Sequence, residues 1–280
     1  MDRNLLSHGA LWVSLVWSLP TSAQVQPAGH DLVIPSPPVQ MDERSRNLQL
    51  SAGTQHLSGN YGNYGNWHDV TLRGAWGMPA HTLQGELSSH KRFGVGGTYV
   101  AIGDTHDFNE DWYGSAAVGA GDGAFYLPKY RVDVTLNRKF LERRQLVATI
   151  GAGYYSAPDG HSDRSLLLGA TYYLDAPWIV EGGVRFNDSA PGSVRTRQHF
   201  IAATWGRAKA DLVTGRLGWG GEGYLAVGPA TQLVNFDSRE VSLAWRHWFN
   251  AHTGFLVAAH RYSNPLYRRM GASVGLFHDF

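Results

Sequence analysis

The chain has 280 residues, which is enough for one large domain or two small ones. Only 17% of the residues are charged and the formal net charge is +1, so the composition excludes a strong electrostatic attraction for nucleic acid. Cysteine is absent, which excludes a disulfide scaffold, an iron–sulfur cluster and thiol catalysis.

The N-terminal region predicts export. Arg3 precedes an apolar run at 10–19, and small residues follow at 21–23. This pattern predicts a signal peptide over residues 1–23. A membrane anchor is the alternative, but a run of about ten residues is too short to cross a roughly 30 Å hydrocarbon core as a helix. Residues 24–45 contain four prolines and few apolar side chains, so we expect an extended periplasmic leader there.

From residue 46 onward, apolar and polar residues alternate. In RVDVTLNRKF (131–140), Val132, Val134 and Leu136 alternate with polar side chains, and the segments 178–187 and 240–249 repeat the arrangement. A period of two is typical of β-strands, whereas a helix would space its apolar residues by three or four. The mean hydropathy of −0.27 agrees with strands of which only alternate residues face lipid.

The connections between these segments differ in length. Short ones are predicted at 78–80, 109–111, 142–144, 175–177, 207–209 and 250–252, and longer ones at 57–66, 122–129, 157–163, 188–195 and 222–238. Short turns at one rim and long loops at the other are typical of a closed antiparallel transmembrane β-barrel of the bacterial outer membrane. We expect about 14 strands over residues 46–280, with 12 as the alternative because 92–96 and 263–267 are ambiguous.

The last segment, GASVGLFHDF (271–280), fits such a barrel. Ala272, Val274 and Leu276 share one face, and glycine and serine share the other. Because lipid offers no hydrogen bonds to an open sheet edge, we expect the last strand to pair with the first, near 48–55, and Phe280 to lie in the interface belt. We place girdle tryptophans at 67, 76, 112, 178, 205, 219 and 245. The alternative is a secreted β-sandwich or β-propeller.

The alternation places charged residues on the inner face. The candidates for lining the lumen are Arg73, Glu86, Arg131, Asp133, Lys139, Glu181, Arg185, Arg216, Glu240 and Arg246. Both signs occur in nearly equal number. The functional interpretation is a polar conduit or binding cavity; the alternative is a set of ion pairs that merely fills and stiffens the barrel.

Several short stretches match catalytic or phosphate-binding motifs but lack the structural context that those motifs require. GASVG (271–275) matches a nucleophile elbow, but it lies inside a strand with only five residues after it. GWGGEG (218–223) matches a phosphate-binding glycine pattern, but no helix follows. The histidines show no metal-binding spacing. We therefore expect no catalytic residue, metal site or cofactor.

Two other segments leave alternatives open. His260 and Ser263 are similar to the His and Ser-Asn elements of outer-membrane lipid A deacylases, which makes a lipid A-modifying hydrolase the alternative function. Their three-residue spacing puts them on opposite strand faces, however, and no glutamate follows Glu240 to orient the histidine. The segment NYGNYGNW (60–67) is interpreted as a polar surface loop, with contact to glycans as the alternative.

Three stretches resemble a known family. GNWHDVTLRG (65–74), FNEDWYG (108–114) and AFYLPKYRVDVTLNRKF (124–140) are similar to the YaiO family of outer-membrane proteins, over roughly 46–280. The chain end also resembles the signal read by the barrel-assembly machinery, with matches at Ser273, Gly275 and Phe280 and a departure at His278.

The resemblance implies an outer-membrane barrel of a Gram-negative cell envelope, linked to exopolysaccharide. We therefore expect a porin-like, monomeric and non-enzymatic protein that acts as a conduit or surface element. Its expected partners are outer-membrane lipids and lipopolysaccharide, the barrel-assembly machinery and a polysaccharide, but no nucleic acid.

Overall fold

The computed structural model describes residues 46–59, 62–175, 177–228 and 231–280, with the backbone alone for 62–64, 227–228 and 231. The predicted signal peptide and leader lie outside the described residues. The described residues form fourteen strands: β1 (Arg46–Gly59), β2 (Gly62–Met78), β3 (His81–Arg92), β4 (Val95–Asp107), β5 (Trp112–Gly121), β6 (Tyr130–Phe140), β7 (Leu146–Ser156), β8 (Ser162–Tyr173), β9 (Trp178–Ala190), β10 (Val194–Gly206), β11 (Asp211–Gly228), β12 (Thr231–Trp248), β13 (Thr253–Ser263) and β14 (Tyr267–Asp279).

The strands close into a single antiparallel barrel in which each strand pairs with its neighbours in sequence. The seam pairs β1 with β14 over thirteen positions, from Asn47 opposite Asp279 to Gly59 opposite Tyr267. The predicted closure and the count of fourteen are confirmed, and the alternatives of twelve strands, a sandwich and a propeller are wrong. The ambiguous segments 92–96 and 263–267 each contain a tight turn. No helix among the described residues is long and apolar enough to cross a membrane.

The outer wall is apolar because alternate side chains face outward along each strand. On β14 the outward residues Met270, Val274 and Leu276 are 61%, 59% and 62% exposed, whereas the inward Phe277 is 2% exposed. Exposed apolar side chains of this kind occur on all sides of the barrel and would be unfavourable in water. In lipid they form the hydrocarbon-facing band of a transmembrane barrel.

The prediction of long loops is wrong for three segments. Most of 57–66, 188–195 and 222–238 is strand: β1 ends at Gly59 and β2 begins at Gly62, β9 ends at Ala190 and β10 begins at Val194, and β11 ends at Gly228 and β12 begins at Thr231. The paired strands run past the apolar band instead: β11 and β12 have 18 residues each, while about ten suffice to span the bilayer. The rim at which these pairs of strands meet, and which carries the connection 122–129, is called the loop rim. The opposite rim, which carries Arg46 and Phe280, is called the turn rim.

The turn rim is held by ion pairs between connections. In the turn after β6, Arg143 donates to Asp175 at 2.6 Å, and Arg144 donates to Asp111 at 2.8 Å. The hydrogen bond from Arg143 holds the pKa of the Asp175 carboxyl below its usual value. Both partners are well exposed, so the pairs fix the geometry of the turns and add little stability.

The closed wall defines the space inside. Fourteen strands about 4.8 Å apart, tilted by about 40°, give a circumference of roughly 88 Å and a radius of roughly 14 Å for a circular section. Opposite walls are then roughly 28 Å apart, compared with about 10 Å for two sheets whose side chains interdigitate. The wall side chains alone therefore do not fill the lumen, and folded-in chain or water occupies the rest.

Candidate functional site: the polar lumen and its closed mouth

At the turn rim, Asp279 ties together four strands or turns near the seam. Its carboxylate accepts hydrogen bonds from Asn47 at 2.6 Å, Lys209 at 2.6 Å and Trp248 at 3.0 Å. Deeper inside, the Arg246 guanidinium lies 3.4 Å from the Phe277 ring centre and donates to Gln49 at 3.0 Å. The entrance from this rim is therefore lined by charged groups on an aromatic support.

The middle of the lumen carries ion pairs. Arg73 donates to Glu86 at 2.9 Å across β2 and β3, and Ser88 donates to the other oxygen of the same carboxylate at 2.5 Å. Arg131 and Asp133, two residues apart on β6, pair at 2.5 Å. The Arg73 side chain is 3% exposed while that of Asp133 is 21% exposed, so these pairs are only partly open to the lumen.

All ten charged residues selected from the sequence lie on the face opposite the exposed apolar belt. Each is buried or half-buried. Lys139 lies 5.5 Å from the Tyr113 ring centre and Arg216 lies 4.6 Å from that of Phe200. The structure thus brings them to one surface but not to one point, because they are distributed along and around the barrel.

The inner side of the loop rim carries a hydrophobic group of residues, which we call the mouth cluster. Its buried members come from β1, β2, β11, β12, β13, β14 and the connection 122–129: Leu57, Trp67, Tyr126, Leu127, Leu225, Phe236, Tyr262 and Tyr267. Trp67 and Leu225 are 1% and 0% exposed. Trp67 was predicted to be a girdle residue, which is wrong, because it lies on the same face of β2 as Asp69 and Arg73.

The connection 122–129 enters the barrel instead of extending outward. Tyr126 donates to the carbonyls of His90 and Val95 at 3.1 and 3.0 Å, which fixes the connection against β3 and β4. Gly97 makes room for it, since a Cβ there would lie 2.8 Å from Leu127 Cδ1 and Tyr126 Oη. The connection 122–129 is one of the five predicted long loops, and it is the longest connection in the described chain.

Two arginines are buried beneath the aromatic rings of the mouth cluster. Arg92 and Arg269 are 1% and 0% exposed. The Arg92 guanidinium lies 5.0 Å from the Trp67 ring centre, and that of Arg269 lies 4.9 Å from the Tyr262 ring centre. Nearby, Tyr262 donates to Glu222 at 2.9 Å. Sequence reasoning missed Arg92, Arg269 and Glu222, although Arg92 shares the strand face of the selected Glu86.

The upper parts of β11 and β12, residues 221–228 and 231–238, pair with each other beyond the point where β11 leaves β10; we call them the mouth hairpin. Tyr224 donates to the Pro191 carbonyl and its ring lies 4.4 Å from the His161 ring centre. Gln232 donates to Asp159 at 2.9 Å. These contacts join the hairpin to the connections that follow β7 and β9, although β10 separates β11 from β9 in the wall.

A glycine lies where the mouth hairpin leaves the wall. Pairing of β10 with β11 ends at Gln198 opposite Gly220. Gly220 has φ of +136°, and a Cβ there would lie 2.2 Å from the Arg197 carbonyl oxygen. Such a backbone is open only to glycine without strain. The GWGGEG motif is therefore a bend in β11, as expected of a pattern with no phosphate-binding helix behind it.

The remaining motifs do not assemble into a reactive site in the described residues. His260 faces inward and is 9% exposed, while Ser263 lies at the end of β13 on the opposite face. GASVG lies within β14, and residues 62–67 of the NYGNYGNW segment belong to β2 rather than to a loop. Residues 60 and 61 lie outside the described chain. No group of three metal-binding side chains comes together in the part that is described.

The fold is similar to that of solved outer-membrane barrels. A structure described as a bacterial polysaccharide outer membrane secretin aligns with a TM-score of 0.57 at 9% identity, over 86% of this chain and all of that one. The CymD monoaromatic hydrocarbon channel gives 0.57 at 9% identity, over 86% and 90%. The P. putida toluene transporter TodX gives 0.54 at 11% identity, over 86% and 91%. At these identities the likeness shows the fold alone.

Comparison of the sequence identifies the family. No curated protein matches the chain. The family described as the YaiO membrane beta barrel domain matches residues 45–225, which include β1 to β10 and most of β11. The resemblance seen in the three sequence stretches is thus confirmed over well more than half of the chain. The protein is an outer-membrane β-barrel, and it belongs to the YaiO family.

Proposed function

We propose that the protein is a gated, non-enzymatic conduit for polar, carbohydrate-type solutes across the outer membrane, linked to exopolysaccharide. One observation carries the proposal: polar and charged side chains follow the inner wall from one rim to the other. Gln49 and Arg246 lie near the turn rim, Arg73 and Glu86 in the middle, and Arg92 beneath the mouth cluster.

The charge of this inner wall favours polar over apolar cargo. CymD is described as a hydrocarbon channel and TodX as a toluene transporter, but their likeness to this chain concerns the fold only. Partly exposed pairs such as Arg131–Asp133 can exchange their hydrogen bonds with hydroxyl groups, and guanidinium and carboxylate groups are good partners for sugars. A hydrocarbon would leave the same groups unsolvated, which is costly.

The mouth cluster and mouth hairpin suggest that passage is controlled. We assign the turn rim to the periplasm and the loop rim to the outside, since both ends of the described barrel, Arg46 and Phe280, lie at the turn rim, and β11 and β12 extend past the apolar band at the loop rim. In this orientation the hydrophobic plug faces the exterior. Opening requires that the hairpin, which is bound to other connections through Tyr224 and Gln232, moves away from Tyr126 and Leu127.

Recording in planar bilayers tests the conduit. We expect the refolded wild-type barrel to show discrete conductance steps, and neutral oligosaccharides added to one side to reduce the current. Exchanging the charges of one pair, as Arg131→Asp with Asp133→Arg, should change ion selectivity less than Arg131→Asp alone, because only the single variant alters the net charge. A barrel that never conducts, even after removal of the mouth hairpin, and that binds no glycan would contradict the proposal.

The hydrolase alternative finds no support in the positions of its residues. A serine nucleophile must lie within hydrogen-bond reach of its base. His260 pairs across the sheet with Ser242 and Gly271, while Ser263 pairs with Arg239 and Arg268. Unchanged lipid A in cells that overproduce the protein would agree with a non-enzymatic role.

A further inference from the structure

A group of arginines lies on the outer face of the barrel, next to the apolar belt on its loop-rim side. On β14, the outward series Leu276, Val274, Ala272 and Met270 is followed by Arg268. On β12, Leu243 and Val241 are followed by Arg239, and on β13, Val257 and Ala259 are followed by Arg261. All three arginines are exposed. Each is therefore the first charged side chain beyond the hydrocarbon-facing part of its strand.

The three strands are neighbours, so the three arginines form one patch, the arginine triad. Ser263 of β13 pairs with Arg239 on one side and with Arg268 on the other. Adjacent strands are about 4.8 Å apart, which puts the Cα atoms of Arg239 and Arg268 roughly 10 Å from each other. Arg261 lies two residues before Ser263 on the same face, roughly 7 Å along the strand. Three flexible guanidinium groups can thus reach one point.

The protein itself does not neutralise this patch. Within the described chain, none of the three arginines forms an ion pair. The acidic residue next to the patch on the outer face of β12 is Asp237, which lies two positions from Arg239 toward the loop rim. Two other exposed arginines do form ion pairs with carboxylates of the protein: Arg143 with Asp175, and Arg195 with Asp188 at 3.4 Å. Three like charges close together repel one another unless an anion lies between them.

The position of the patch indicates the anion. A residue next to the apolar belt lies at the level of the lipid headgroups. With the loop rim outward, as in the proposed function, this is the outer leaflet, whose glycolipid carries phosphate groups. Arginine binds phosphate through paired N–H donors, and clusters of basic side chains at headgroup level bind anionic lipids. We propose that Arg239, Arg261 and Arg268 form a binding site for the phosphate groups of an outer-leaflet glycolipid.

Lipid binding by the purified barrel tests this site. The probes are bis-phosphorylated lipid A, the same lipid with both phosphates removed, and inorganic phosphate, each titrated into detergent-solubilised protein and measured by native mass spectrometry. We expect wild type to prefer the phosphorylated lipid by about tenfold, and the triple variant R239Q/R261Q/R268Q to lose that preference. Inorganic phosphate at equal concentration should not displace the lipid, since it lacks acyl chains to lie against the belt.

A matched control removes the same kind of charge at the same rim. Arg164 and Arg195 face outward beside Asp188, which pairs with Arg195, so R164Q/R195Q should keep the preference. The single variants R239Q, R261Q and R268Q, expected to weaken binding of the phosphorylated lipid about twofold each, provide the test should the triple variant not fold. Equal binding of the dephosphorylated lipid, displacement by inorganic phosphate, or an equal loss in the control would overturn the site. Because conductance is measured in a separate experiment, a barrel that does not conduct would contradict the conduit proposal without affecting the result for lipid binding.

Discussion

The replacement of Leu225 by alanine tests whether the mouth cluster holds the barrel closed. Leu225 is fully buried, and it belongs to the mouth hairpin while Trp67 and Leu127, with which it clusters, belong to the wall and to the connection 122–129. The substitution therefore weakens the docking of the hairpin and leaves the hydrogen-bonded wall unchanged. In the conduit hypothesis, docked and undocked hairpin correspond to closed and open states.

The magnitude follows from the burial. A fully buried Leu→Ala change costs about 2–5 kcal/mol, and the lower part of this range applies where neighbours can move into the space. A loss of about 2–3 kcal/mol from the docked state alone raises the ratio of open to closed barrels by about 30- to 150-fold, since 1.4 kcal/mol corresponds to a factor of ten. A hairpin that is open for about 0.1% of the time would then be open for about 3 to 13% of the time.

Single-channel recording measures this ratio directly as open probability. Leu217→Ala is the matched control, because Leu217 belongs to the same strand but faces outward and is 45% exposed. The heat-dependent shift in gel mobility of folded barrels shows whether each variant has closed its wall. An unchanged open probability in a correctly folded Leu225→Ala barrel, or an equal increase in the Leu217→Ala control, would refute the reasoning.

Three further outcomes are expected. Asp279→Ala removes the acceptor of three hydrogen bonds at the seam and should lower the free energy of unfolding in urea by about 2–4 kcal/mol, while Asp279→Asn should lose less. Arg143→Ala should raise the pKa of Asp175 toward its ordinary value in a carboxyl NMR titration; because Arg143 lowers that pKa, its small stabilising effect is present at neutral pH and lost as the pH falls through the pKa of Asp175 in the folded protein. Phe280→Ala should slow assembly into the outer membrane, measured as the fraction of heat-modifiable protein, whereas replacement of the exposed turn residue Glu142 should not.

The transmembrane part of the fold could be predicted because lipid enforces a strict alternation. In 131–140 the outward positions 132, 134, 136 and 140 are apolar and only Arg138, close to the turn rim, departs from the pattern, so the inward position of Arg131 follows from the position of Val132. The same argument applies to Arg73: it follows Leu72 on β2, and because Leu72 faces outward, Arg73 must face inward. The alternation identifies a face but not a neighbour, and the pairing of Arg73 with Glu86 depends on a register that the sequence does not reveal.

The upper part of the barrel could not be predicted in this way. Above the membrane the outer face meets water, so the strands in 188–195 and 222–238 lack an apolar alternation and have the composition of loops. Trp67 was misplaced for a related reason: a tryptophan near a strand end is typical of an interface girdle, and only the shared parity with Asp69 indicates that it faces inward. The infolded connection 122–129 depends on contacts with β3 and β4 that are far away in sequence.

The seam between β1 and β14 determines at which stage of synthesis the barrel can close. Asn47 and Asp279, which hydrogen-bond at its end, are 232 positions apart, so the ring cannot be sealed until the final strand has been synthesised and delivered. Every shorter intermediate would present two unsatisfied sheet edges to the hydrocarbon. A premature stop codon anywhere before β14 is therefore expected to leave no partially useful product, only a polypeptide that periplasmic proteases remove.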